Sequence, residues 1–67
     1  MTEGAPLKTD PNIAAPDEFY EALVRAHDGL GAADSERLNA RLILLLANQI
    51  GDDAVLHAAI RAARDSL

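Results

Sequence analysis

His27 and His57 are the side chains of this 67-residue sequence whose charge changes near neutral pH, and the sequence has no cysteine. Acid–base or metal chemistry would have to start from them. Neither belongs to a metal-ligand spacing such as HExxH, in which two histidines on one helix face bind zinc beside a glutamate base. His27-Asp28 reads instead as a helix end, where the dipole favours a histidine. The carboxylate pairs Asp17-Glu18 and Asp52-Asp53 resemble an acid–base couple only in composition. Each falls where a helix is expected to begin, and the positive end of the helix dipole accounts for it. No nucleophilic triad and no glycine-rich phosphate loop is present. The residues that could do chemistry therefore read as helix punctuation, with no catalytic residue, metal or cofactor expected.

Ser35 is the hydroxyl in the most suggestive setting. Leu30-Gly31-Ala32-Ala33-Asp34-Ser35, at the head of a helix in a small acidic protein, resembles the acyl carrier proteins, whose Gly-Ala-Asp-Ser-Leu bears phosphopantetheine on its serine. That resemblance implies Ser35 as an attachment site. The pattern departs from that family at Glu36, where the family has leucine or another apolar residue, and in one additional alanine. The chain after the second helix is also too short for the usual third and fourth elements. Without the resemblance, Ser35 reads as a cap or first-turn residue.

Composition narrows the classes further. Eleven acids against six bases give a net charge of −5, which repels nucleic-acid phosphates and anionic lipid alike. Phe19 and Tyr20 are the only aromatics, too few for a base-stacking platform. Nucleic acid and membrane are thus not expected partners. The acidic start Met1-Thr2-Glu3-Gly4 is unlike a signal peptide, and no apolar run reaches the ~20 residues of a membrane span, so a cytoplasmic location is expected. A domain of this size supplies only about 3–5 kcal/mol from its own core. Disulfides and a structural metal being absent from the pattern, association is the remaining means of stabilising it.

The elements follow from capping signals and helical periodicity. Pro6, Pro11 and Pro16 mark residues 1–15 as an extended or flexible arm, from which Leu7 and Ile13 are the side chains suited to docking on the body. Pro16 at a first helical position, followed by Asp17 and Glu18, opens a helix running to about Asp28. Its core face is Phe19, Ala22, Leu23 and Ala26, and Gly29 is its left-handed stop. A second helix spans roughly Ser35–Ile50, capped by Asp34 or Ser35 and ended by Gly51. A third, capped by Asp52 or Asp53, runs to the C-terminus with Leu56, Ala59, Ile60, Ala63 and Leu67 in one stripe. The fold class expected is all-α, a small three-helix domain over residues 16–67. Short connections make the helices neighbours in space.

Helix two poses the main problem. Leu42-Ile43-Leu44-Leu45-Leu46 turns through about 400° on a helix and puts apolar surface on every side. Leu38, Leu42, Leu45, Leu46, Ile43 and Ile50 share a broad arc suited to the other two helices. Leu44 points away, with Arg37, Arg41 and Asn48 around it. That face is a candidate interface, Leu44 its apolar anchor and the arginines its rim. Asn39 and Gln49 project into the apolar arc, where buried amides hydrogen-bonded across a subunit contact would fix its register. Near the helix ends they also have a route to water. Tyr20, Val24 and His27 form a second semi-apolar strip on helix one.

Asp-Glu-Phe-Tyr-Glu-Ala-Leu (Asp17 to Leu23), Ala26-His27, Leu38-Asn39-Ala40-Arg41-Leu42 and Leu46-Ala47-Asn48-Gln49-Ile50-Gly51-Asp52 together resemble a small bacterial family known as domain of unknown function 2783. The resemblance implies a short bacterial protein without an assigned activity. Through an association of such genes with those of flavin-dependent aromatic oxygenases, it also implies an accessory role. The residues and the resemblance lead to one expectation: a non-catalytic interaction module, self-associating or serving as an accessory subunit of a bacterial enzyme, with a protein partner or homo-oligomer. The acyl-carrier reading on Ser35 is the alternative.

Overall fold

A computed structural model describes residues 7–67 of the chain, and within them the protein is three helices without a strand. They are α1 (Pro16–Ala26), α2 (Ala32–Ile50) and α3 (Asp53–Asp65). The all-α, three-helix class is as expected. Residues 1–6 of the anticipated arm lie outside the described residues, and residues 7–15 form no regular element. Leu7 is half-buried, whereas Ile13 is exposed.

Helix ends follow the backbone chemistry of their residues. Pro16 sits at the start of α1, its missing N–H costing nothing there, with Asp17 and Glu18 in the first turn. The helix stops at Ala26 rather than near Asp28. The amides of His27 and Asp28 donate to the carbonyls of Val24 and Arg25, a tighter closing turn, before Gly29 takes a left-handed φ of 79°. At its far end α2 stops on Gly51, φ 75°, whose amide donates to Ala47 O at 2.8 Å. Asp52 caps α3 as expected, its Oδ1 accepting from the Val55 amide at 3.2 Å.

The start of α2 differs from the expectation. The helix begins at Ala32, three residues early, and neither Asp34 nor Ser35 caps it; Gly31 does so through an extended backbone without a side-chain bond. Ala32 and Ala33 have the highest helix propensity of any residue type, so the helix extends back through them to the glycine. Asp34 thereby becomes a first-turn acid. Ser35 donates its amide to Gly31 O at 2.9 Å from inside the helix.

The expected core does not close. Among the described residues none is buried. Half-burial is confined to Leu23 and His27 on the α1 side, to Ser35, Leu38, Leu42 and Ala47 of α2, and in α3 to Val55, Leu56, Ala58 and Ala59, apart from Leu7 and Asp52. Phe19, Ile43, Leu45, Leu46 and Ile50, all expected inside, are exposed. In α3 the covered face is turned from the anticipated stripe: Val55 and Ala58 join Leu56 and Ala59, while Ile60, Ala63 and Leu67 face solvent. The cause is geometric. At 1.5 Å per residue α1 is about 16 Å long against about 28 Å for α2 and can cover only part of it, and half-burial in α3 extends no further than Ala59. The chain measures 46 × 26 × 25 Å with a radius of gyration of 13.9 Å, where a compact domain of this length has about 11 Å.

Candidate interaction surface

α1 and α2 form a hairpin, and the space between them is an open groove of about 610 Å³. Its floor is Leu23, Leu38 and Leu42, the half-buried residues of its lining. Phe19 and Leu30 line the α1 side, and Leu45 lines the α2 side. Helical spacing puts them there: Phe19 and Leu23 are four apart, as are Leu38 and Leu42, and Leu45 follows Leu42 by three. Phe19 remains 44% exposed and Leu45 70%, so the groove has apolar walls and no lid.

The two edges of the groove differ in charge. Arg37 and Arg41 stand along the α2 edge with Asp34 near its head. Arg37 Nη1 lies 3.4 Å from Asp34 Oδ1, a loose and solvated pair. On α1, Glu18 precedes the groove-lining Ala22 by one helical turn and so stands on the outer edge, with Glu21 and Arg25 beside it. Glu21 Oε2 accepts from Arg25 Nη2 at 2.7 Å, both side chains largely exposed.

Among the described residues, a polar contact outside the lining of the groove ties the hairpin together. His27 Nδ1 lies 2.8 Å from Leu23 O, and Nε2 lies 3.0 Å from Asn39 Oδ1. This pair was not legible as such in the sequence. Its members are twelve residues apart, and the local pattern gives each a different setting, a helix end for His27 and an apolar arc for Asn39.

The residues anticipated as an interface are distributed over two sides. Arg37 and Arg41 border the groove, sharing its edge with Leu45, while Leu44, 69% exposed, and Asn48 lie outside it. Tyr20 and Val24 are exposed and, by helical spacing, turn away from the groove. His27 leaves that strip for its contacts with Leu23 and Asn39. Within the single chain Asn39 and Gln49 are both exposed rather than buried. Ser35 is half-buried in the first turns of α2, and His57 is exposed on α3. Among the described residues, no group of His, Asp and Glu side chains is placed to hold a metal ion, and no helix is long and apolar enough to cross a membrane.

The family model described as protein of unknown function (DUF2783) matches residues 7–65, nearly the whole chain, and the chain belongs to that family. No curated protein and no solved structure matches it.

Proposed function

We propose that this member of a family of unknown function is a small helical interaction module, whose apolar faces are covered by another protein surface. One observation carries the reading: the chain exposes 6018 Å², whereas a folded monomer of its mass exposes about 4,100 Å². An excess of that kind, rich in Ile, Leu and Phe side chains, marks a contact surface. A protein occupant fits better than the other classes. Small-ligand pockets bury some 70–90% of their ligand, and an unlidded groove with walls as exposed as Phe19 and Leu45 does not. It matches instead the open groove that takes the i, i+3, i+4, i+7 side chains of a helix. A net charge of −5 works against nucleic acid and anionic lipid.

The reading is tested on the chain by itself. Hydrogen-exchange mass spectrometry at sub-micromolar concentration should find helix amides only weakly protected and a hydrophobic dye bound, because no covered core holds the helices. Addition of the protein that covers the surface should protect α1 and α2 together. A dilute monomer that is strongly protected and silent to the dye would overturn the reading.

A further inference from the structure

We infer that the occupant of the α1–α2 groove is a second copy of this chain, packed groove to groove about a two-fold axis with α1 of each copy against α2 of the other. This rests on the reading of the chain as an interaction module, and adds the partner's identity and the face it uses.

Area is the first support. The excess of about 1,900 Å² per chain, taken over two chains, is about 3,800 Å². That lies within the roughly 2,000–5,000 Å² buried in obligate homodimers. Residues 7–15, exposed apart from Leu7, contribute to that excess, so it bounds the groove contact from above. The surface available is of the obligate kind, an apolar floor and walls with charge confined to the edges.

Charge is the second support. An isologous contact needs a surface complementary to itself, so that what one copy presents at one edge the other must answer at the opposite edge. The groove meets that condition. Its α2 edge is basic at Arg41, and its outer α1 edge is acidic at Glu18. Among the described residues neither takes part in an ion pair within the chain, since Glu21 is held by Arg25 and Arg37 leans on Asp34. Setting α1 of one copy beside α2 of the other brings the acidic edge to the basic edge twice. It also encloses Phe19, Leu23, Leu42 and Leu45 from both copies in one four-helix core. The parallel alternative, α2 edge beside α2 edge, would oppose arginine with arginine.

Sedimentation equilibrium of the full chain from about 1 to 500 µM provides the test, with three variants. The wild type should approach twice the monomer mass without higher species. Leu45→Asp, at a position exposed in the single chain, should weaken dimerisation at least a hundredfold. Should that variant also lose helix content, the edges keep the inference falsifiable. Arg41→Glu and Glu18→Arg should each weaken the homodimer by roughly three- to tenfold, and an equimolar mixture of the two should recover a heterodimer with opposite charges at both edges, one pair native and the other reversed. A chain that stays monomeric to 500 µM overturns the second copy; if its amides are also weakly protected, the broader reading of an interaction module still stands. A dimer indifferent to all three variants but lost in Leu44→Asp or Val24→Asp overturns the groove as its site.

Discussion

His27 is where the side-chain chemistry of this chain departs most from its sequence pattern. Its Nδ1 hydrogen bond to Leu23 O requires a proton on that nitrogen. A neutral ring then has Nε2 as an acceptor, satisfied when the Asn39 amide turns its NH₂ towards the ring; a doubly protonated ring donates to Oδ1 instead. Asn39 can serve either state by rotating its amide, so the pair bridges α1 and α2 without needing one protonation state. The position of His27 at a helix end was legible, because the dipole and the following Gly29 mark it. The pairing with Asn39 was not, because local periodicity says which residues share a face and not which two ends meet. The expected consequence is structural and not catalytic. Asn39→Ala should cost about 0.5–1.5 kcal/mol, the net contribution of one hydrogen bond and at the low end for an exposed one, read as a shift in the urea midpoint at unchanged slope. His57→Ala, with an exposed side chain that makes no described contact, should leave that midpoint within about 0.5 kcal/mol of wild type.

At the scale of the element, the helices were legible and their packing was not. Pro16, Gly29, Gly51 and Asp52 punctuate the chain through steric and hydrogen-bonding rules that act within a few residues, and all four do what those rules require. The start of α2 was misread because a recognisable cap motif, Asp34-Ser35, competed with the propensity of two alanines, and propensity won. The apolar arcs were read correctly as arcs, yet an arc states what a helix would bury and not whether the chain supplies a cover. Thus Leu45 and Ile60, 70% and 66% exposed, belong to stripes that one copy leaves open. Two predictions belong here. Gly51→Ala should destabilise by about 1–2 kcal/mol, since a Cβ at a φ of 75° is strained even though the nearest atom, Asn48 O, is 3.9 Å from where it would sit. Thermal unfolding followed by circular dichroism measures it. Leu42→Asp, on the half-buried floor between α1 and α2, should disrupt the hairpin by both circular dichroism and light scattering. Leu44→Asp, outside the lining of the groove and beyond its arginine edge, should leave helix content near wild type and affect assembly less than Leu45→Asp does. Leu44 and Leu45 lie one residue and 100° apart on the same helix, Leu45 lining the groove and Leu44 outside its lining, so the pair of variants separates the groove contact from the Leu44 face.

For the whole molecule, the deciding relation is between chain length and exposed surface. A chain of 67 residues with no disulfide starts with little stability in hand, and this one leaves its largest apolar side chains uncovered. If folding is completed by a second copy, unfolding and dissociation become one equilibrium, and stability depends on protein concentration by mass action. Each tenfold increase then adds about 1.4 kcal/mol per dimer, or about 0.7 per chain. For a domain of this size that should raise the thermal midpoint by about 3–6 °C per decade of concentration, measured by circular dichroism between about 2 and 200 µM. Salt provides an internal control on the cause. The edge pairs are solvent-exposed and screened, with a Debye length near 3 Å at 1 M, so added sodium chloride should lower the midpoint only slightly if the apolar groove dominates. Sulfate, which strengthens apolar burial, should raise it. A midpoint unchanged across two decades would mean that the open helices persist in a single copy by local propensity alone. Helices of 11 and 13 residues are of marginal length in water and the 19-residue α2 is only modestly longer, so melting would then be broad instead of cooperative. The width of the transition and its concentration dependence are therefore expected to change together, both sharp and shifting for the dimer, both broad and fixed for the solitary chain.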